Sequence, residues 1–328
     1  MSSMSRTSFA QQHIVFANGS EGEHVLVPSA SPSNYHQVLN DRDDMPAVNI
    51  DGKLFLPVGA ADVKARVPCV IVVPGSLGIA ESHLAHAETL TNLGIAAFVL
   101  DPFGPRSVTS TVANQTQYSF AASALDVLAA VRVLANDPRI DPHRVGAQGH
   151  SRGGSAVMTA ATTRFAHAVL EGAPPLHAVL AAYPWCGHQF LDPRVGATRI
   201  RVLIGDHDAW CLPQQAQGHV HAIRLTGGDA SIKLFSGAAH SFDRGTAITN
   251  VPDASVSPGA PTVYIDDQGA MIHPVTGAAD PRSVDRDFMV YALKAGYGVR
   301  GAVIGSNPGE AAAFHEAMSA FWVSALLS

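Results

Sequence analysis

Short apolar runs alternate with stretches of helical spacing over most of the chain. The runs lie at residues 69–74 (CVIVVP), 95–100 (IAAFVL), 144–148 (RVGAQ), 178–183 (AVLAAY), 200–204 (IRVLI) and 231–235 (SIKLF). They read as continuous rather than alternating, as strands do when both faces of their sheet are covered. Between them, residues 81–93 place Leu84, Ala87 and Leu90 on one face and stop at Gly94. Residues 120–134 carry Ala124, Val127, Val131 and Leu134 at helical spacing. Residues 310–327 put Phe314, Met318 and Phe321 on one side, a stripe suited to core packing. Strands alternating with helices predict an α/β fold: a mostly parallel, twisted sheet with helices on both faces.

The periphery is less regular. Residues 13–16, 24–27 and 53–56 are short extended pieces that predict an antiparallel edge to the sheet, and the Ser/Pro/Asn-rich run 29–34 predicts a loop. Between the runs ending at Tyr183 and starting near Arg199 there is room for one short helix and not for a lid domain. Within residues 246–305, rich in Gly, Pro, Ala and Asp, the stretch 262–273 (TVYIDDQGAMIH) predicts a hairpin turning at Asp267-Gln268-Gly269. The whole of 1–328 is read as one domain, with an N-terminal extension to about residue 50. The inserted segment, about 246–305, is expected to fold over the site in place of a lid or to pack against a second copy in a homodimer.

Composition narrows the function. Of 328 residues, 47% are hydrophobic and 15% charged, ample for a sizeable core. A net charge of -6 without a Lys/Arg-rich run excludes a nucleic-acid partner, and suits small-molecule chemistry. No stretch approaches the roughly 20 apolar residues of a membrane span. The polar N-terminus through Asn18 lacks the apolar core of a secretory signal, so the cytoplasm is expected. Three cysteines are too few for a disulfide framework and match no zinc spacing. Cys69 sits in an apolar strand. Cys186 and Cys211 follow consecutive strands and could approach each other, although a disulfide is not the expectation in the cytosol.

The sharpest chemical signal is Gly149-His150-Ser151-Arg152-Gly153, directly after a strand and opening a helix over residues 154–163. So tight a strand-to-helix turn forces the serine into a strained conformation and exposes its hydroxyl, while the flanking glycines avoid collisions. The helix start points partial positive charge at the site. In this fold the nucleophile is followed by an acid and then a histidine. The strand at 200–204 leads into Gly205-Asp206-His207-Asp208, where a carboxylate would face the crevice. The loop must leave the strand before turning inward, so Asp208 is favoured and Asp206 is expected to cap the loop. Past the next strand, Gly237-Ala238-Ala239-His240 places a histidine in the loop facing the serine.

These segments resemble the dienelactone hydrolase family in its serine-containing branch. The likeness is carried by Pro74-Gly75-Ser76-Leu77-Gly78, Asp101-Pro102-Phe103-Gly104-Pro105-Arg106, Gly149 through Gly154, Gly205 through Asp208, and His240-Ser241-Phe242-Asp243, which together span most of residues 50–245. The resemblance implies a lidless α/β-hydrolase fold acting on esters or lactones. The namesake enzymes use a cysteine nucleophile and act on a small carboxylated lactone; Ser151 and the long segment after His240 depart from them.

The residue types then set the expected mechanism. Ser151 attacks a carbonyl while His240 takes its proton, and Asp208 orients the imidazole and stabilises its cation. One oxyanion donor is expected from the Arg152 backbone N–H and the other from Ser76, with Leu77 as the alternative. Around this centre, Arg106 could grip a substrate carboxylate as a planar fork or form a structural salt bridge, and the Arg152 side chain has the same two roles open. His150, Leu77, Trp185 and Trp210 are candidate pocket residues, although packing alone explains the tryptophans equally well. His83 and His86 lie three apart beside Glu81 and Glu88, a spacing able to present two metal ligands. Nothing nearby completes the set, and exposed helix positions are the expectation. No metal or organic cofactor is expected.

Overall fold

The computed structural model describes residues 8–59 and 65–328. Its main sheet has eight strands, in spatial order β1 (Gly22–Ala30), β2 (Ala47–Phe55), β4 (Ala96–Asp101), β3 (Val67–Val73), β5 (Ile140–His150), β6 (Ala178–Ala182), β8 (Arg199–Gly205) and β9 (Ala230–Phe235). The six apolar runs all fall on the parallel part, from β4 to β9. β1 pairs antiparallel with β2, and β2 antiparallel with β4, which is the predicted antiparallel edge. Of its expected pieces, residues 13–16 supply only an isolated bridge between Val15 and Glu21. Ser29 and Ala30, expected in a loop, finish β1. The first residues of the polar N-terminus, 1–7, lie outside the described residues.

Helices α2 (Glu81–Asn92), α3 (Phe120–Ala135), α4 (Arg152–Ala161) and α8 (Glu310–Leu326) cover the sheet, α3 packing with α4 and α2 with α8. The core runs through β3, β4 and β5. Val70, Ile71, Phe98, Val127 and Val131 are all fully buried. Trp322 of α8 is buried against Gly146 of β5, and its indole N–H donates to Gln148 Oε1 at 2.8 Å, which settles two polar groups inside the core. Four further helices, α1 (Tyr35–Asn40), α5 (Thr163–Val169), α6 (Pro213–Leu225) and α7 (Asp285–Lys294), went unforeseen. α1 is a short helix whose start is marked by Asn34, which accepts the Gln37 N–H.

The region between β6 and β8 contradicts the sequence expectation. It holds a short strand, β7 (His188–Phe190), instead of a helix. The four residues between Gly187 and Asp192-Pro193 are too few for helical nucleation. Their backbone groups instead pair in parallel with β11 (Val263–Ile265) of the inserted segment. β11 folds back on β12 (Met271–Ile272) in the predicted hairpin, with Asp266 Oδ1 accepting the Gln268 and Ala270 N–H groups and Gly269 at φ +79°. β13 (Ala279–Asp280) extends this small sheet. The remainder of the segment is β10 (Thr249–Val256), α7 (Asp285–Lys294) and β14 (Val299–Ile304), which returns to pair with β10. The Gly305 N–H donates to the His240 carbonyl at 2.9 Å, so the segment ends against the loop it started from. Among the described residues no helix is long and apolar enough to cross a membrane.

Candidate active site

Ser151 stands between β5 and α4 at φ 55°, ψ −115°, a backbone region a side chain rarely adopts. Its N–H donates to the Ala182 carbonyl at 2.9 Å. A Cβ at Gly149 would lie 2.0 Å from the Gly153 carbonyl oxygen, and one at Gly153 would lie 2.4 Å from that of Val73. Neither backbone contact can yield, so the sharp turn requires both glycines.

The loops after β8 and β9 approach equally closely. A Cβ at Gly205 would meet the Ala238 carbonyl oxygen at 2.0 Å, and the His207 N–H donates to that same oxygen. Asp206 Oδ1 accepts the Gly237 N–H at 2.7 Å and so ties the two loops together. Asp208 turns inward. Its Oδ1 accepts the N–H groups of Trp210 and Cys211, both at 2.8 Å, and its Oδ2 meets His240 Nδ1 at 2.8 Å. His240 Nε2 lies 2.9 Å from Ser151 Oγ. An ionised carboxylate can only accept, so Nδ1 carries the proton and Nε2 presents its lone pair to the serine hydroxyl. All three side chains are buried, which keeps water from competing for these bonds. Trp210 stacks on the imidazole at 5.0 Å, and Tyr183 meets it edge-on at 4.8 Å.

The Arg152 N–H, at the first turn of α4, and the N–H groups of Ser76 and Leu77 make no hydrogen bond among the described residues. The Ser76 loop is pinned by other atoms: its hydroxyl donates to Gln115 Oε1 at 3.0 Å, and its carbonyl accepts the Thr111 N–H at 2.8 Å. Ser151 opens into a recess of about 860 Å³, mouth included. Phe120, Trp185, Trp210, Val256, Phe288 and Met289 are among its walls, so the segment 246–305 supplies part of them. A smaller recess of about 320 Å³ is bounded by Leu77, His150, His240 and Arg244. Trp185 and Trp210 therefore both pack and line.

Arg106 does not reach the site. Its guanidinium is a buried fork on Asp126, at 2.8 and 3.0 Å, and also donates to the carbonyls of Pro102 and Ala30 and to Ser31 Oγ. Its sequence position is consistent with either role; its neighbours decide. The Arg152 side chain is also structural, donating to the Gln115 and Tyr118 carbonyls and to Ser123 Oγ beneath the Phe120 ring. His150 touches the rim of the smaller recess, but its ring stacks on His86 at 5.0 Å. Burial pushes its pKa down to about 3.

His83 and His86 are buried, against the expectation of exposed helix positions. His83 Nδ1 accepts the Ala80 N–H at the start of α2, and His86 Nε2 donates to Asp243 Oδ2 at 2.8 Å. His86, His150 and Asp243 bring ligand-type atoms within 4.8 Å of one another. The two rings are within 4° of parallel and stacked, so their in-plane lone pairs cannot converge well on one ion. Cys69, Cys186 and Cys211 are free and buried, and burial pushes the Cys186 thiol up to about 12.

Sequence reasoning passed over several residues near the site. Tyr183 is expected, with Trp185 and Trp210, to line the pocket, and packs its ring edge-on against His240; Asp243 enters only as part of a motif, and Asp285 and His188 not at all. Asp285 opens α7 in the wall of the large recess; burial raises its carboxyl to about 6, against lowering by the Phe120 N–H and Arg152. For the last three, only the HSFD run carried a visible signal.

The profile of the dienelactone hydrolase family matches residues 50–257. A comparison with curated proteins found no match. Among solved structures, one titled m3DLH is 17% identical, with 84% of this chain and 95% of that one covered and a TM-score of 0.52. A dienelactone hydrolase-like promiscuous phosphotriesterase from metagenomic libraries is 15% identical over 84% of this chain and 96% of its own, with a TM-score of 0.45. A thermophilic esterase from the Planctomycetes species Thermogutta terrifontis, with propionate bound, is 17% identical over 65% and 86%, with a TM-score of 0.45. With a family match that spans the parallel strands, the turn at Ser151 and the loops of Asp208 and His240, the chain belongs to the dienelactone hydrolase family and has its α/β-hydrolase fold.

Proposed function

We propose that the chain is a serine hydrolase that cleaves a carboxylic ester or lactone through an acyl-enzyme on Ser151. The observation that carries this reading is the unbroken hydrogen-bonded line Ser151–His240–Asp208, built on a strained turn beside an open recess. In the first half-reaction Ser151 Oγ forms a bond to the substrate carbonyl carbon as His240 Nε2 takes the hydroxyl proton. The Arg152 N–H and the Ser76 N–H receive the oxyanion; removing one such donor typically costs about 10²–10³ in rate. The carbon–oxygen bond to the alcohol then breaks, and His240 returns its proton to the leaving oxygen. Water, deprotonated by His240, attacks the acyl carbon; the bond to Ser151 Oγ breaks, Oγ takes the proton back from His240, and the acid leaves. Asp208 holds the imidazole in its useful tautomer and offsets its charge throughout.

The aromatic and aliphatic walls of the large recess favour an apolar acyl or alcohol group, with the segment 246–305 contributing to the selection. The test is turnover of p-nitrophenyl acyl esters together with labelling by a fluorophosphonate. The reading predicts both activities, with Ser151→Ala losing labelling and lowering turnover on the order of 10⁶-fold, as in another serine hydrolase. Ester turnover that survives Ser151→Ala would overturn it. Tight binding of an unchanged ligand without turnover would point to a binding protein on a hydrolase fold.

A further inference from the structure

The proposed relay leaves one fully buried carboxylate beside it unused. Asp243 Oδ1 accepts the Tyr183 hydroxyl at 2.6 Å, and Oδ2 accepts His86 Nε2–H at 2.8 Å. The Asp243 and His86 side chains have no exposure at all. His150 Nε2 stands 3.9 Å from Oδ2, and the half-buried His315 ring lies 4.8 Å from that of His86. Two sequence features without a role, the histidine pair of α2 and the carboxylate closing the HSFD run, thus meet at one place.

Burial alone would raise the Asp243 carboxyl. The hydrogen bond from His86, the nearby His150 and His86 rings and the Tyr183 hydroxyl outweigh it and hold the group well below the usual carboxylate range. It is therefore a permanent acceptor, fixing the Tyr183 hydroxyl and requiring His86 to carry its proton on Nε2. Tyr183 needs such a hold. It leaves β6 at φ 39°, a sparsely populated region for a bulky residue, and its N–H is tied to the Leu203 carbonyl. Its ring then forms an edge-on wall 4.8 Å from the His240 imidazole, whose face Trp210 covers.

We propose that Asp243 is a positioning residue for His240: it clamps the Tyr183 hydroxyl so that the Tyr183 ring keeps the imidazole in line between Ser151 and Asp208. The proposal rests on His240 being the base in the reading above. It differs from a general packing role because removal of a single oxygen, far too little to empty the core, should be felt in catalysis. A base displaced by a fraction of an ångström loses rate and not substrate affinity.

The test is Tyr183→Phe, which keeps the ring and removes the clamp. The expected result is a kcat about tenfold lower with KM unchanged, and Ser151 phosphonylation slowed by the same factor. The downfield proton resonance of His240 Nδ1–H should broaden as the ring gains freedom. On the other side of the carboxylate, His86→Gln keeps an N–H for Asp243 and should restore the kcat that His86→Leu loses. Should His86→Leu fail to fold, Tyr183→Phe decides alone. A Tyr183→Phe protein with kcat and labelling rate within twofold of the parent, whatever its melting temperature, would overturn the proposal. Ser151→Ala run in parallel separates the two readings: labelling that survives it would remove the nucleophile and so the reading on which the clamp rests, whereas a dead Ser151→Ala beside an unchanged Tyr183→Phe removes only the clamp.

Discussion

Replacing Arg106 by Met should damage the fold and leave substrate selection alone. All five N–H groups of the guanidinium are engaged: two on Asp126, and the others on the Pro102 and Ala30 carbonyls and Ser31 Oγ. Asp126 has no exposure, and it also accepts the Tyr118 and Ser29 hydroxyls. Burial raises its pKa, and Arg106 is the main opposing influence. Methionine matches the stem of arginine but strands that carboxylate and two backbone carbonyls. Breaking a buried pair from one side costs about 3–5 kcal/mol, the stranded charge being the larger part. At about 2–4 °C per kcal/mol for a chain somewhat smaller than this one, the melting temperature should fall by roughly 10 °C. The assay is a melting curve beside steady-state kinetics on two matched esters, one neutral and one carrying a free carboxylate. KM for the two should keep its ratio within about twofold, and Arg106→Met with Asp126→Leu should recover much of the lost stability. An Arg106→Met protein that melts like the parent but loses affinity for the anionic ester alone would refute the reasoning.

Other perturbations separate neighbouring roles. Asp208→Asn should lower kcat on the order of 10³–10⁴-fold by spoiling the His240 tautomer. Asp206→Asn, which only loosens the bond to the Gly237 N–H, should stay within tenfold; the opposite ranking, measured on one ester, would exchange their roles. Asp285→Asn tests the buried carboxyl in the pocket wall. Its folded value of about 6 lies above the ordinary 3.8, so the folded chain holds this proton between those values. The stability it contributes is complete below about 4 and is lost as pH rises through 6. The variant keeps an acceptor for the Phe120 N–H, and Arg152 and His188 remain its neighbours. It should therefore be more stable than the parent by about 2–3 kcal/mol at pH 8 in urea unfolding, with the gain gone near pH 4. A gain independent of pH would contradict the assignment.

The parallel sheet was legible because six buried strands leave six uninterrupted apolar runs, and the helices between them repeat at their own period. The turn at Ser151 was legible because a backbone contact of 2.0 Å leaves glycine as the only residue for position 149. β7 was not, since its three residues acquire strand structure only from pairing with β11, distant in sequence. Arg106 shows the same limit in chemistry. A cationic residue at a strand end is compatible with a substrate anion or with Asp126, and only the fold places Asp126 there first. His83 and His86 were misjudged for a related reason: their spacing is visible, but Asp243, which fixes His86 in the core, is far along the chain. The segment 246–305 is hardest because its wall residues face a cavity and not a repeating neighbour, so they carry no periodicity.

The most direct measurement is mass spectrometry of the acyl-enzyme, quenched in acid during turnover of a slow ester and digested. The account predicts a single peptide heavier by the acyl mass, with the modification on Ser151. Intermediate should build up more slowly in His240→Ala and be missing from Ser151→Ala. An acyl group on another side chain, or steady hydrolysis with no covalent species in the Ser151→Ala protein, would contradict it.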